Sequence, residues 1–125
     1  MNLEGTWAVK CHGWMKLSDD QFTAIDKMAD LSSCTRWVIV KDYISTPTDP
    51  SDIDKILDNF RIPFKARMIP GDIRPPNYKG EYFVDLGNTI TFPHPEWSTR
   101  RYNWCYEKAV NCVKYWEYRN GTFQD

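Results

Sequence analysis

Residues 98–119 read STRRYNWCYEKAVNCVKYWEYR, and the spacing of their apolar side chains predicts the last helix of the fold. An α-helix turns about 100° per residue, so positions three and four apart share one face. The face predicted to be buried comprises Tyr102, Cys105, Ala109, Cys112, Val113 and Trp116. We expect this helix to begin at Pro95 or Ser98 and to end at Asn120-Gly121, because glycine is favoured after a last turn.

Three large rings fall on the opposite, polar side of this helix. They are Trp104, Tyr115 and Tyr118, and Lys108 and Asn111 lie among them. Trp and Tyr are enriched among the residues that dominate binding at protein interfaces. The pattern indicates a surface that binds another protein; the structural alternative is that neighbouring chain covers the rings.

The first part of the chain alternates between strand and helix patterns. Period-two alternation predicts a half-buried strand over residues 6–15. Ser18 and Gln21 can form a capping box that starts a first helix, which we expect to end near Leu31. The continuous apolar run Trp37–Val40 is typical of a central strand covered on both faces.

Helix and strand patterns also alternate in the middle of the chain. Asp49-Pro50 predicts the start of a second helix, with Ile53, Ile56, Leu57 and Phe60 on its inner side. Residues 64–68 alternate as a strand, and residues 69–80, with three prolines and two glycines, form the longest irregular segment. Residues 81–92 predict a hairpin around a Gly87-Asn88 turn.

The resulting order is β-α-β-α-β-β-β-α. It predicts one α+β domain spanning residues 1–125, in which a mixed sheet of about five strands carries three helices mainly on one face. Right-handed crossovers would place the first two helices on the same side of the sheet, so a ferredoxin-like core is the first topology considered.

Composition limits the classes of partner. The chain of 125 residues has a formal net charge of −1, whereas general nucleic-acid binders carry a basic excess. We found no signal peptide and no apolar run long enough to span a membrane, so we expect a cytoplasmic protein without a membrane partner. The four cysteines are then expected to stay reduced; they are Cys11, Cys34, Cys105 and Cys112.

The irregular segment 69–80 is a second candidate for partner binding. Arg74, Tyr78 and Lys79 lie in it among prolines that restrict its motion. Long loops in small domains are often functional, although an ordinary mobile connection explains the pattern equally well.

A third candidate is a basic, aromatic face. Lys10, His12 and Trp14 point away from the buried side of the first predicted strand, and Lys65 and Arg67 do so in the strand at 64–68. If those strands are adjacent, they form a platform suited to single-stranded nucleic acid or a nucleotide. The alternative is a face covered by solvent or a helix.

Local catalytic motifs are missing. His94-Pro95-Glu96 matches the first half of a zinc deaminase signature, but Cys105 and Cys112 are about 10 Å apart on a helix, too far for one zinc ion. We therefore predict no metal, no cofactor and no catalytic residue.

The leading interpretation is a small non-enzymatic protein-binding module, an inhibitor or adaptor that occupies a partner's surface. The first alternative is the nucleic-acid or nucleotide binder. The second is an enzyme whose site is assembled from distant residues such as His12, His94, Asp85 and Glu96. The sequence leaves the oligomeric state open.

Overall fold

A computed structural model describes residues 7–32, 34–91, 93–95 and 97–125. These residues form two units: a smaller unit, Lys10–Tyr43, and a main unit made of the described residues up to Val9 together with Ile44–Asp125. Along the chain the elements are β1 (Cys11–Lys16), α1 (Asp19–Asp26), β2 (Trp37–Lys41), α2 (Ile53–Asn59), α3 (Arg61–Lys65), β3 (Met68–Ile69), β4 (Tyr78–Lys79), β5 (Tyr82–Phe83), β6 (Ile90–Thr91), α4 (Thr99–Lys114), β7 (Glu117–Arg119) and β8 (Thr122–Gln124).

The described strands pair as four separate antiparallel sheets of two strands each. The pairs are β1 with β2, β3 with β6, β4 with β5, and β7 with β8. The α+β class is therefore confirmed. The predicted mixed sheet of about five strands is wrong, and no ferredoxin-like core is found among the described residues, because no described sheet has more than two strands.

In the smaller unit, α1 begins where the sequence predicts. Ser18 Oγ accepts a hydrogen bond from the Gln21 backbone N–H at 3.2 Å, and the Gln21 side chain accepts one from the Ser18 N–H at 2.9 Å. The helix ends at Asp26 and not near Leu31. After it, the Ala29 N–H donates to the Ile25 carbonyl at 3.0 Å, and the Asp26 carboxylate accepts a hydrogen bond from the Leu31 N–H at 2.8 Å, so a single turn closed partly by a side chain follows the helix.

The strand β2 is not a buried central strand. It pairs with β1 alone, with Ile39 opposite Trp14 and Trp37 opposite Lys16. Trp37 and Ile39 are both exposed. An apolar run does not determine whether its strand is covered by other elements. In a two-stranded sheet one face can stay exposed, as it does here.

The strand predicted over residues 6–15 is divided between the two units. In the main unit, the Phe83 N–H donates to the Trp7 carbonyl and the Val9 N–H donates to the Phe83 carbonyl, both at 2.9 Å. This places Trp7–Val9 beside β5, whereas the residues from Cys11 onward pair with β2.

Two helices follow each other in the main unit. Asp49 caps a 3-10 turn, Pro50–Asp52, that leads into α2, and its side chain accepts from the Ser51 N–H at 2.7 Å. Ile56 and Phe60 are buried as predicted. The strand predicted at 64–68 is wrong. The Phe64 N–H donates to the Phe60 carbonyl at 3.2 Å, so the chain continues as α3.

A turn lies at Gly87-Asn88 as predicted, closed by a backbone hydrogen bond of 3.0 Å, but it does not join paired strands. The hairpin of β4 and β5 turns at Gly80-Glu81, while β6 pairs with β3 and not within a hairpin at Gly87-Asn88. Asn120 and Gly121 have φ angles of 53° and 80° and form the turn between β7 and β8. Positive φ at both central residues is the geometry of a tight hairpin turn, so α4 ends earlier, at Lys114.

The core of the main unit collects side chains from α2, β4, β5 and α4. Its buried residues are Trp7, Ala8, Ile56, Phe60, Ile62, Ile73, Tyr78, Phe83, Ala109, Val113 and Trp116. The longest helix in the described part of the chain, α4, has 16 residues, and none of the described helices has the length and hydropathy needed to cross a bilayer.

Candidate functional site

The helix α4 has the two faces that its sequence predicts. Ser98 caps it, with its Oγ accepting from the Arg101 N–H at 3.2 Å. Tyr102, Ala109 and Val113 are buried, whereas Trp104 is 58% exposed. The helix therefore attaches to the core by one side and presents a large ring on the other.

Tyr115 and Tyr118 are also exposed, but they follow the helix instead of lying within it. Tyr115 is 80% exposed at the end of α4, and Tyr118 belongs to β7. The Tyr118 ring packs edge-to-face on Phe123 of β8, with ring centroids 5.0 Å apart. Lys108 makes a cation–π contact with Trp104, with its Nζ 5.2 Å from the ring centroid.

A groove lies between segment 69–80 and α4, which the sequence predicts as two separate candidate binding surfaces. Its volume is about 470 Å³. From segment 69–80 it receives Ile73 and Arg74, and from α4 it receives Lys108 and Asn111, with Tyr115 at the helix end. Its remaining lining residues are Cys112, Trp116 and Asp125. Trp116 is a buried core residue, so the groove opens directly above the hydrophobic core.

Arg74 is held in place at this groove by a carboxylate. Its Nε lies 2.7 Å from Asp72 Oδ1, its Nη2 donates to Asp72 Oδ2 at 3.0 Å, and the Asn77 side-chain amide donates to the same carboxylate at 3.0 Å. The hydrogen bond from Arg74 lowers the pKa of Asp72, and the same bond raises the pKa of Arg74. A two-point contact of this kind restricts the guanidinium to one orientation.

Segment 69–80 is more ordered than the sequence predicts, and one of its candidate residues is internal. Tyr78 is 4% exposed, and its ring packs against Phe83 and Trp116 with centroids 5.0 and 5.2 Å away. This burial raises the pKa of the Tyr78 phenol well above its usual value. Lys79, its neighbour in β4, is half-buried. The Tyr78 ring is therefore part of the core and not of the groove surface.

The basic platform predicted from two adjacent strands is not assembled in that way. Lys10, His12 and Trp14 lie in or next to β1, whose partner is β2. Lys65 is the last residue of α3, and Arg67 follows it with a φ angle of 56°. The alternation at 64–68 belongs to the end of a helix, so the condition for that platform is not met.

The candidate residues for an enzyme site have other contacts. His12 pairs with Asp42, the His94 ring lies 6.1 Å from the Trp97 ring, and Asp85 accepts from the Gly87 N–H at 2.9 Å. Glu96 lies outside the described residues. In the described ranges, no group of three or more His, Cys, Asp or Glu side chains is placed to hold a metal ion.

Sequence reasoning missed one exposed aromatic cluster. Trp14 and Trp37 meet across β1 and β2 with ring centroids 5.0 Å apart, and Ile39 lies opposite Trp14. The signal was present, because Trp14, Trp37 and Ile39 all fall on period-two positions. The cluster was missed because Trp37–Val40 was predicted to be a central strand, in which Trp37 and Ile39 would be buried.

The chain was compared with protein families, curated proteins and solved structures. A sequence model of a family described as kinetochore Sim4 complex subunit FTA2 matches residues 2–90. No curated protein and no solved structure matches the chain. The matched range includes the whole smaller unit and Arg74, and it ends before α4.

Proposed function

Because the chain belongs to the family of the kinetochore Sim4 complex subunit FTA2, we propose that it is a non-enzymatic subunit that binds another protein within a kinetochore complex. The match over residues 2–90 is the observation that carries this proposal. A kinetochore role places the protein at chromosomes, so the expected location is nuclear and not the cytoplasm that the sequence alone predicted.

The groove between segment 69–80 and α4 supports a binding role of the adaptor kind. An oriented Arg74, an exposed Tyr115 and an apolar floor at Trp116 combine the residue types that dominate binding at interfaces. The groove, with a volume of about 470 Å³, has room for one or two side chains of a partner. This fits a subunit that works by occupying part of a partner's surface.

Charge favours an acidic segment as the occupant of this groove. The sequence of α4 carries four lysines and arginines and one glutamate. On the groove itself Arg74 is already paired with Asp72, and Lys108 lies there with Asp125, so the positive excess comes from α4 as a whole. Opposite charge on a partner would raise the rate of encounter.

The test is affinity capture of the tagged full chain from its native host, with the recovered proteins identified by mass spectrometry. We expect kinetochore proteins with the unchanged chain and their loss with Trp104→Ala combined with Tyr115→Ala. Truncating two interface rings typically weakens binding by about 2 kcal/mol or more.

Tyr43→Ala is the matched control, because Tyr43 is as exposed as Tyr115 but belongs to the smaller unit. It should leave the recovered proteins unchanged, and all variants should melt within a few degrees of the unchanged chain. Recovery without any kinetochore protein would contradict the proposed function. Undiminished recovery with the double variant would contradict the groove as its site.

A further inference from the structure

The smaller unit carries an apolar face that is separate from the groove. Its two strands, with 11 residues in total, pair with each other, and no residue is buried among the described positions 10–32 and 34–43. A two-stranded sheet is marginally stable on its own, and chains below about 40 residues seldom bury enough surface to fold unaided. We therefore expect this unit to be stabilised by a contact that covers part of its exposed surface.

Register places the largest side chains of this unit on one face. Residues directly opposite each other share a face of an antiparallel pair, and so do residues two apart in one strand. Trp14 is opposite Ile39, and Lys16 is opposite Trp37. Trp14, Ile39 and Trp37 are 73%, 68% and 50% exposed, so they form a continuous apolar patch in water, which we call the tryptophan face.

Lysines border the tryptophan face, and neither strand contributes a carboxylate to it. β1 and β2 contain Lys16, Lys41 and His12 but no Asp or Glu. Lys16 Nζ lies 5.8 Å from the Trp37 ring centroid. The nearest acid in sequence, Asp42, is paired with His12. Lys16 and Lys41 therefore border this face with cationic side chains.

We propose that the tryptophan face binds a protein segment in which apolar side chains are flanked by carboxylates. The apolar side chains would cover Trp14, Trp37 and Ile39, and the carboxylates would meet the bordering lysines. The smaller unit as a whole has five lysines and arginines and five aspartates, so it lacks the basic excess needed to bind the phosphate backbone of a nucleic acid. Ile39 in the centre offers no ring for a base to stack on.

This proposal does not depend on the groove. It gives the chain two binding surfaces, one in each unit, and it assigns the second to residues that the family match includes.

The experiment places a photo-crosslinking phenylalanine derivative at position 39 of the full-length chain in its native host, followed by sequencing of the crosslinked peptide. Position 43 is the matched control, because Tyr43 is exposed in the same unit but lies beyond β2. We expect a crosslink at position 39 to a peptide in which Asp or Glu flanks apolar residues, and at most a tenth of that yield at position 43.

Two further variants separate this face from the groove. Combining Lys16→Glu with Lys41→Glu should reduce the position-39 crosslink about tenfold, as expected when two interfacial charges are reversed, with an unchanged circular dichroism spectrum. Tyr115→Ala should leave it intact. If the charge variant does not fold, Lys16→Gln with Lys41→Gln should reduce the crosslink by a smaller factor.

A crosslink to nucleic acid, to a second copy of this chain or to a peptide without carboxylates would overturn the proposal, as would equal yields at positions 39 and 43. Each of these results leaves the capture experiment on the groove unaffected, so the two proposals fail separately.

Discussion

The main unit and the smaller unit use similar apolar patterns with opposite results. In the main unit, Phe83 on a strand of two residues is 0% exposed, because the rings of Trp7 and Tyr78 pack against it. In the smaller unit, Trp14 on a strand of six residues is 73% exposed. Burial is thus decided by what packs on a strand and not by its length or its hydrophobicity.

Both surfaces that we propose for partner binding are exposed parts of elements that are otherwise held in place. α4 buries one side in the core and leaves Trp104 and Tyr115 outside, whereas the smaller unit leaves a whole sheet face outside. A large exposed apolar patch on a small protein is the usual mark of an interaction site.

The largest expected effect comes from replacing a core ring and an exposed ring in parallel. Phe83→Ala should lower the free energy of unfolding by about 3–5 kcal/mol, because it leaves a cavity in a closely packed core. Trp14→Ala should cost about 1 kcal/mol, the value of its contact with Trp37. Urea denaturation followed by circular dichroism measures both; equal losses would remove the distinction between the two units.

An intermediate effect is expected at Gly71 in the main unit. A Cβ at this position would overlap the carbonyl oxygen of Asn88, so Gly71→Ala must displace the backbone between β3 and β6. We expect a loss of about 1–3 kcal/mol in the same urea experiment.

Gly87→Ala is the control for Gly71→Ala. The nearest atom to a Cβ there is 3.1 Å away and belongs to the flexible side chain of Asp85. A loss as large as that of Gly71→Ala would show that the strain at Gly71 is not specific to its contact with Asn88.

The smallest effect concerns two exposed carboxylates, one in each unit. Hydrogen bonds from Arg74 lower the pKa of Asp72 below 3.8, and the Ser32 N–H does the same for Asp30. A lowered pKa in the folded chain gives stability that is present above the unfolded pKa and is lost as the pH falls through the folded value.

Asp72→Asn should therefore lower the urea midpoint slightly at neutral pH and have no effect in strong acid. Asp30→Asn should change the midpoint less, because the smaller unit contributes no buried residue to cooperative unfolding. An Asp72→Asn difference that persists in strong acid would show that the ion pair with Arg74 is not its cause.

Local signals were predictable from the sequence. The capping box at Ser18, the Asp49-Pro50 helix start and the buried face of α4 are each set by residues within one or two turns of each other. Such short-range patterns leave few alternatives, which is why these elements match the prediction, whereas the sequence left open whether the rings of Trp104 and Tyr115 are exposed or covered.

Strand partners were not predictable, because period-two alternation does not name the strand that will pair. Trp37–Val40 has the same sequence character whether it lies inside a sheet or at its edge. Asn120-Gly121 can end a helix or turn a hairpin, and in the structure it turns a hairpin whose Phe123 ring packs on Trp116 and Tyr118. The meeting of Arg74 with α4 likewise depends on contacts far apart in sequence.

Hydrogen exchange on the chain alone and on the complex purified through it tests the central claim most directly. If the smaller unit is completed by a partner, peptides from β1 and β2 should exchange rapidly in the free chain and slowly in the complex, while peptides containing Phe83 and Val113 stay protected in both. Strong protection of β1 and β2 in the free chain, or no change on assembly, would contradict the account.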